Sequence, residues 1–177
     1  ICGNSVVWKG APASSLTTIG TGRVISEVLK KNNINPNVFT VLQGNSDIGE
    51  SMAKDSRIPL LSFTGSTKVG RQVRGVVESR FGKTLLELGG NNAAIVMEDA
   101  NLDIALKSSV FGAVGTCGQR CTSLRRLYLH ENVFDSFVEK MIKAYSTIKI
   151  DDPLKEDTLC GPLNNQNSVD MYLRTIE

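Results

Sequence analysis

Short apolar runs alternate with segments of helical periodicity along the first half of the chain, and this alternation limits the folds available to it. The runs NSVVWK, NVFTVL, IPLLSF and KTLLEL are near-continuous in apolar residues, as is typical of strands buried in a parallel sheet. Apolar residues recur at helical spacing between them, over 14–31, 47–54 and 66–80. This order predicts a doubly wound, mostly parallel α/β sheet. We expect Gly82 to end the third helix with a positive φ.

The pattern changes at the segment LGGNN, which follows Glu87. Beyond it, AAIVM and RRLYLH predict two further strands. Asn101 is expected to cap the helix between them, and an amphipathic helix is expected over 133–145. The sequence therefore predicts a second α/β unit, with the boundary at Leu88–Gly89.

The charges of the chain are nearly balanced: 20 Lys and Arg against 18 Asp and Glu give a net charge of +2. This balance gives no reason to expect a nucleic acid or an anionic membrane as a partner. No apolar run approaches the roughly 20 residues of a membrane span, and no signal peptide is recognisable. Because the chain starts inside an apparent strand and stops in an apparent helix, we expect a fragment of a longer protein. We also expect that the protein is not secreted.

The cysteines are Cys2, Cys117, Cys121 and Cys160, and the single histidine is His130. No C-x-x-C pair is present, so the spacing does not predict a metal site. Four cysteines in a chain of 177 residues do not form a disulfide framework, and we expect reduced thiols.

Three places hold residue types that carry chemistry, and each also has an ordinary structural interpretation. Gly65 and Ser66 join an apolar run to a helix, where free N–H groups favour an anion, or where the turn is simply capped. Glu87 is either a general base at a strand end or a glutamate at an exposed sheet edge. Cys121, beside Arg120, is either a nucleophile or a small buried hydrophobe.

FTGSTKVG, LELGG and GQRC occur in this order, and together they resemble the aldehyde dehydrogenase superfamily. VVWKGAP, LLELGGNN and GTCGQRCTSLRRL are most similar to its antiquitin-like members, the aminoadipate-semialdehyde dehydrogenases. The resemblance covers the whole chain. It implies that residues 1–88 are the C-terminal part of a Rossmann-like NAD-binding domain. Residues 89–177 would be the N-terminal part of an α/β catalytic domain.

The same resemblance implies roles for single residues. Cys121 would attack the aldehyde carbonyl and form a thioester after hydride transfer to NAD, and Glu87 would activate the water that hydrolyses it. Arg120 and Thr122 would contact the substrate, and the arginine favours an acidic semialdehyde. The residues implied for the cofactor are Lys9, Gly49, Gly65, Ser66, Val69 and Leu88.

One departure from the family concerns Pro12, which replaces a glutamate that holds the ribose 2′-hydroxyl in many relatives, so NADP stays an alternative to NAD. The resemblance further implies a homo-oligomeric parent, a dimer or tetramer, in the cytoplasm or the mitochondrion. We expect the 177-residue chain by itself to be inactive. Two other functions stay open: a non-catalytic nucleotide-binding fragment, and a cysteine hydrolase that pairs Cys121 with His130.

Overall fold

The computed structural model describes residues 3–177 and divides the chain into two compact units, Ile1–Leu88 and Gly89–Glu177. We call them unit 1 and unit 2. The assignment of these units to a cofactor domain and a catalytic domain stays a prediction. Cys2 lies outside the described residues.

Unit 1 alternates strands and helices as the apolar pattern predicts. Its strands and helices are β1 (Val6–Lys9), α1 (Ser15–Lys31), β2 (Phe39–Leu42), α2 (Ser46–Lys54), β3 (Leu60–Thr64), α3 (Thr67–Ser79) and β4 (Lys83–Glu87). Strands β1 and β2 pair in parallel, and so do β3 and β4, whose register places Thr64 opposite Glu87. The prediction of parallel strands is confirmed. Since parallel strands end at the same edge, the residues that follow β3 and β4 meet there.

The core of unit 1 forms where α2, α3 and β3 meet. Ala53, Leu61 and Val77 are buried together, and Val77 is fully inaccessible to solvent. The partly buried residues packed on them are Met52, Phe63, Val73 and Val76. Arg80 also donates from Nε to the Ala53 carbonyl at 2.7 Å, which ties the end of α3 to α2. This packing fixes the direction in which α3 leaves β3.

Helix α3 ends in a way that corrects the expectation for Gly82. The residue with positive φ is Phe81, at 62°, and not the glycine. Phe81 N–H donates to the Glu78 carbonyl and Gly82 N–H to the Val77 carbonyl, each at 2.9 Å, which is the Schellman pattern. Glycine is needed at 82 for space, because a Cβ there would lie 2.7 Å from a Val77 methyl carbon.

Unit 2 repeats the alternation. Its elements are β5 (Asn92–Val96), α4 (Leu102–Val114), a 3₁₀ turn (Gly115–Gly118), β6 (Leu124–Leu129), α5 (Glu131–Ser146) and α6 (Gln166–Ile176). Strands β5 and β6 are parallel, with a register shift between Asn92 and Ala93. Val96, Val133 and Phe137 form the buried core. Asn101 caps α4 by accepting from the Ile104 N–H at 3.1 Å, so the predicted cap is confirmed.

A helix that crosses a membrane must be both long and apolar. Among residues 3–177, no helix combines the length and the apolar character that a membrane crossing requires.

Candidate active site

In unit 1, four of the predicted site residues meet at the carboxyl ends of β3 and β4. The Gly65 N–H donates to the Glu87 carbonyl at 3.0 Å, so the turn after β3 is fastened to the end of β4. Ser66 caps α3 by accepting from the Val69 N–H at 3.3 Å. Gly65, Ser66 and Val69 are exposed, and the first N–H groups of a helix lack partners within it. The turn therefore presents free donors and the positive end of a helix dipole to an anion.

Leu88 is also brought to this edge. A Cβ at Gly70 would lie 2.5 Å from the Leu88 Cδ2 atom, so glycine in the first turns of α3 leaves room for that side chain. The Glu87 side chain is exposed on one face of β4, while Leu86 and Leu88 on the opposite face are half-buried. This alternation is the one expected of a strand. An exposed carboxylate fits both the sheet-edge interpretation and a base that must reach water.

Lys9 and Gly49, two further predicted cofactor residues, lie next to each other in unit 1. A Cβ at Gly49 would lie 3.8 and 3.9 Å from the Cδ and Cε atoms of Lys9, so the lysine stem runs past α2 in ordinary contact distance. Lys9 is half-buried, and its Nζ donates to the Gly10 carbonyl at 3.0 Å. An ammonium group has three hydrogens, which leaves two for another acceptor. These residues fit a dinucleotide, because a cation beside an unobstructed glycine suits a ribose hydroxyl and the α3 turn suits a pyrophosphate.

In unit 2, the loop between α4 and β6 holds the remaining predicted site residues. We call residues 115–123 the cysteine loop. Cys121 is an exposed free thiol, and Thr122 is exposed beside it. Within the described residues Cys121 is accessible, as a thiol must be to act as a nucleophile.

The backbone of the cysteine loop is unusual for its residue types. Thr116 and Cys117 both have φ of 54°, in the left-handed region. A β-branched residue is rarely found there, and each such residue costs on the order of 1–3 kcal/mol. Such a conformation persists only where neighbouring contacts hold it.

Contacts with the segment after α5 hold one side of the loop. The Gln119 amide donates to the carbonyls of Thr116, at 3.1 Å, and Pro162, at 3.4 Å, and it accepts from the Asn164 N–H at 2.8 Å. Cys117 is joined to Cys160 in a disulfide, with the two Cα atoms 5.4 Å apart. That separation is close to the commonest value for disulfides.

The disulfide corrects an expectation drawn from the sequence. We expected reduced thiols, and for Cys117 and Cys160 this prediction was wrong. These cysteines are 43 residues apart in the chain, and their pairing depends on how the loop and the later segment pack. No local sequence pattern identifies such a pair.

Arg120 turns back onto α4. Its Nη2 donates to the Phe111 carbonyl at 2.9 Å, and its guanidinium carbon lies 4.9 Å from the centre of the Phe111 ring. A cation at a helix C-terminus interacts favourably with the helix dipole. The Arg120 Nε is buried and has no hydrogen-bond partner within the described residues. The role of Arg120 in substrate binding stays a prediction.

The opposite side of the cysteine loop is fastened by residues that the sequence analysis did not single out. Asn92 donates from Nδ2 to the carbonyls of Cys121, at 2.7 Å, and Ser123, at 3.1 Å. The Ser123 hydroxyl accepts from the Arg120 N–H at 3.2 Å. The polar pair in GGNN was the only sequence sign of this contact, and by itself it gave no indication of a partner so far along the chain.

His130 has a structural role that conflicts with the hydrolase hypothesis. It caps α5, since its Nδ1 accepts from the Asn132 N–H at 3.3 Å, and the Glu98 carboxylate lies 4.0 Å away. Cys121 precedes β6 and His130 follows it. A six-residue strand spans about 20 Å at the usual rise, which is too far for a thiol and its base.

The two catalytic candidates belong to different units: Glu87 to unit 1 and Cys121 to unit 2. Among the described residues, no group of three or more His, Cys, Asp or Glu side chains is placed to hold a metal ion.

Comparison with known sequences assigns the whole chain to one group. The sequence model of the Aldehyde dehydrogenase family matches residues 1–177. A relative from Malus domestica named Aldehyde dehydrogenase family 7 member A1 is 53% identical over 99% of this chain and 35% of its own. The Alpha-aminoadipic semialdehyde dehydrogenase of Bos taurus is 49% identical over 100% of this chain and 33% of its own. The chain thus spans about a third of the length of these relatives.

Comparison with solved structures gives the same result for the fold. The glyceraldehyde-3-phosphate dehydrogenase GapN of Methanocaldococcus jannaschii, solved with NADP, matches with a TM-score of 0.92 and 30% identity, over 98% of this chain and 38% of its own. A NAD-dependent aldehyde dehydrogenase of Sinorhizobium meliloti matches with a TM-score of 0.89 and 29% identity, over 97% and 34%. The α/β fold class is confirmed.

Proposed function

Since the chain belongs to the aldehyde dehydrogenase family, we propose that it is the central segment of an NAD-dependent enzyme that oxidises aminoadipate semialdehyde to the carboxylate. The observation that carries this proposal is the exposed free thiol of Cys121, in a loop whose backbone is bonded on both sides. A relative that is 49% identical is named for this substrate.

In the proposed mechanism, the Cys121 thiolate adds to the aldehyde carbonyl, and the Cys121 backbone N–H donates to the oxygen that becomes negative. NAD bound to unit 1 would supply the hydride acceptor for the resulting hemithioacetal. The acyl group stays on the Cys121 sulfur as a thioester. Glu87 then takes a proton from water, and the hydroxide releases the carboxylate and restores the thiolate. The exposure of both side chains supports these roles, because the substrate and water must reach them.

The cofactor residues are proposed on the contacts in unit 1. Gly65 and Ser66 would bind the pyrophosphate, since the turn is exposed at the start of α3. Lys9 would donate to the adenosine ribose, and its neighbour Gly49 would leave room beside the adenine. Val69 would pack near the adenine, and the Leu88 backbone would lie near the nicotinamide. We propose NAD over NADP, and a measured preference for NADP would contradict this part alone.

Arg120 and Thr122 are proposed to bind the acidic end of the substrate. The guanidinium is held by Nη2, and its Nε has no hydrogen-bond partner within the described residues. A guanidinium recognises a carboxylate through directed N–H donors, and this chemistry supports the proposed role of Arg120. We further propose a homo-oligomer, a dimer or a tetramer, in the cytoplasm or the mitochondrion.

The test uses the complete protein and follows NADH formation in a stopped-flow instrument. C121A should abolish both the first turnover and the steady state, by more than about 10⁴-fold, because it removes the nucleophile. E87Q should keep a burst of one NADH per site and slow the steady state by about 10²–10⁴-fold, because only thioester hydrolysis needs the base.

E139Q, which alters an exposed glutamate on α5, is the matched control and should behave as the unmodified protein. Normal turnover by C121A would overturn the nucleophile assignment, and normal thioester hydrolysis by E87Q would overturn the base. NAD binding without oxidation of any aldehyde, and with a Cys121 that resists alkylation, would instead favour a non-catalytic nucleotide-binding module.

A further inference from the structure

We propose that Asn92 is a positioning residue that fixes the peptide of Cys121 and so sets the reactivity of its thiol. This inference rests on the proposed function, in which Cys121 is the nucleophile. Asn92 touches neither the thiol nor, in this proposal, the substrate. It acts through the backbone of the cysteine loop.

Asn92 uses both of its amide hydrogens to hold the cysteine loop. Asn92 Nδ2 lies 2.7 Å from the Cys121 carbonyl and 3.1 Å from the Ser123 carbonyl. An amide nitrogen has two donor hydrogens, and each finds one of these oxygens. One side chain therefore holds the loop on both sides of residue 122.

Asn92 is itself held in a paired strand. Asn92 is the first residue of β5, opposite Leu124 on β6, at the point where the register shifts. A Cβ at Gly90 would lie 3.0 Å from the Asn92 Oδ1, so glycine there leaves space for the amide. A contact that starts from a paired strand positions its partner more closely than one from a free loop.

Two local hydrogen bonds close the turn that carries Cys121. The Ser123 N–H donates to the Arg120 carbonyl at 3.1 Å, and the Arg120 N–H donates to the Ser123 hydroxyl at 3.2 Å. Ser123 is 1% exposed and anchors this turn in the interior. Cys121 and Thr122 lie between Arg120 and Ser123 in this turn, and both are exposed.

The consequence for Cys121 follows from peptide geometry. The Cys121 carbonyl and the Thr122 N–H belong to one planar, trans peptide unit and point in opposite directions. When Asn92 holds the carbonyl, it also directs that N–H away from β5 and fixes the Cα from which the thiol extends. The thiolate then stays within a narrow range of approach directions, which is the geometric requirement for attack.

The test replaces Asn92 by three residues that differ in donors. Alanine has none, serine has one, and aspartate is the isostere whose carboxylate has none until it is protonated. N91D, at the exposed neighbouring asparagine, adds the same charge without changing the Asn92 amide. The Arg126 guanidinium donates to the Asn91 carbonyl, and Arg120 reaches the turn through its backbone N–H. Every variant retains both arginines.

The readout is the rate of Cys121 alkylation by iodoacetamide in the complete protein, measured by peptide mass spectrometry from pH 5 to pH 9.5. The full profile separates the pKa of the thiol from the rate constant of the thiolate. We expect the thiolate rate constant to fall roughly 10-fold in N92A. This loss is smaller than the ~10²-fold that a 1 Å misplacement can cost between two bound reactants, because the protein does not hold iodoacetamide. N92S should lie between N92A and the unmodified protein.

N92D provides the signature that a merely structural role would not produce. At pH 8 its carboxylate faces two carbonyl oxygens and cannot donate to either. The alkylation rate of N92D relative to N91D should therefore be no higher than the alkylation rate of N92A relative to the unmodified protein. At pH 5 a protonated fraction can donate one hydrogen bond, so the relative rate should rise. A relative rate equal to that of N91D at both pH values would overturn the proposal. So would an equal, pH-independent loss in N92A, N92S and N92D.

The result also separates this inference from the proposed function. Alkylation needs neither NAD nor an aldehyde. If the protein oxidises no aldehyde but alkylation depends on Asn92 as described, the positioning role stands and the enzymatic proposal fails. If aldehyde oxidation proceeds and both it and alkylation are indifferent to Asn92, the positioning role is wrong.

Discussion

Reduction of the disulfide between Cys117 and Cys160 should destabilise unit 2. The two cysteines are 43 residues apart, so the cross-link removes a large loop from the freedom of the unfolded chain. The chain-entropy relation for a loop of this size gives about 4 kcal/mol at 25 °C. Folded domains have free energies of unfolding of roughly 5–15 kcal/mol, so this contribution is a large part of the total.

The assay is urea unfolding of the 177-residue chain, followed by circular dichroism, with and without dithiothreitol. With an m-value on the order of 1–2 kcal/mol per molar, about 4 kcal/mol corresponds to a midpoint shift of roughly 2–4 M for the transition of unit 2. Comparing the oxidised and reduced forms of one chain keeps every side chain the same. C160S should unfold near the reduced midpoint in both buffers.

Thiol counting gives an independent check of the same cross-link. The unfolded, unreduced chain should have two fewer thiols that react with iodoacetamide than the chain after reduction, because one disulfide consumes two thiols. An equal count before and after reduction would refute the reasoning. A midpoint that dithiothreitol does not move would refute the estimate of stability while leaving the bond in place.

Two further predictions concern unit 1. The pKa of the Asp55 carboxyl is lowered to about 2, chiefly by a side-chain hydrogen bond from Arg57 and also by the Arg57 backbone N–H. Since its folded pKa lies below the unfolded value of 3.8, the stabilisation by this carboxylate is present above pH 3.8 and is lost as the pH falls toward 2. An NMR titration of the Asp55 carboxyl should show the lowered pKa. D55N should flatten the dependence of the free energy of unfolding on pH across this window. F81G should stabilise unit 1 by about 1 kcal/mol in urea unfolding, because Phe81 has a positive φ and is 98% exposed. F81A retains the Cβ and should leave the midpoint nearly unchanged, and a stabilisation equal to that of F81G would contradict the explanation.

The elements were predictable because their signals are local. Four near-continuous apolar runs gave the strands of unit 1, and an asparagine before an apolar stripe gave the start of α4. The end of α3 was predicted less well. The sequence pattern predicted a positive φ at Gly82, whereas the residue with positive φ is Phe81. The glycine at 82 instead allows the backbone to approach Val77 closely.

The contacts of the cysteine loop were beyond sequence reasoning for a physical reason. Asn92, Cys160 and Asn164 reach the loop from distant parts of the chain. Such contacts depend on the parallel pairing of β5 with β6 and on the path of the chain after α5. Local propensity carries no information on either.

The two cysteines of the loop show how environment divides residues of the same type. Cys117 is half-buried, left-handed at its backbone and bonded to Cys160, so its sulfur is not available as a thiolate. Cys121 is exposed and free, and its carbonyl is held by Asn92. A nucleophile needs an accessible sulfur on a fixed backbone. The left-handed residues Thr116 and Cys117 cost free energy, and the contacts that hold them also restrict the turn that carries Cys121. The conformational cost is therefore located next to the thiol whose position it helps to set.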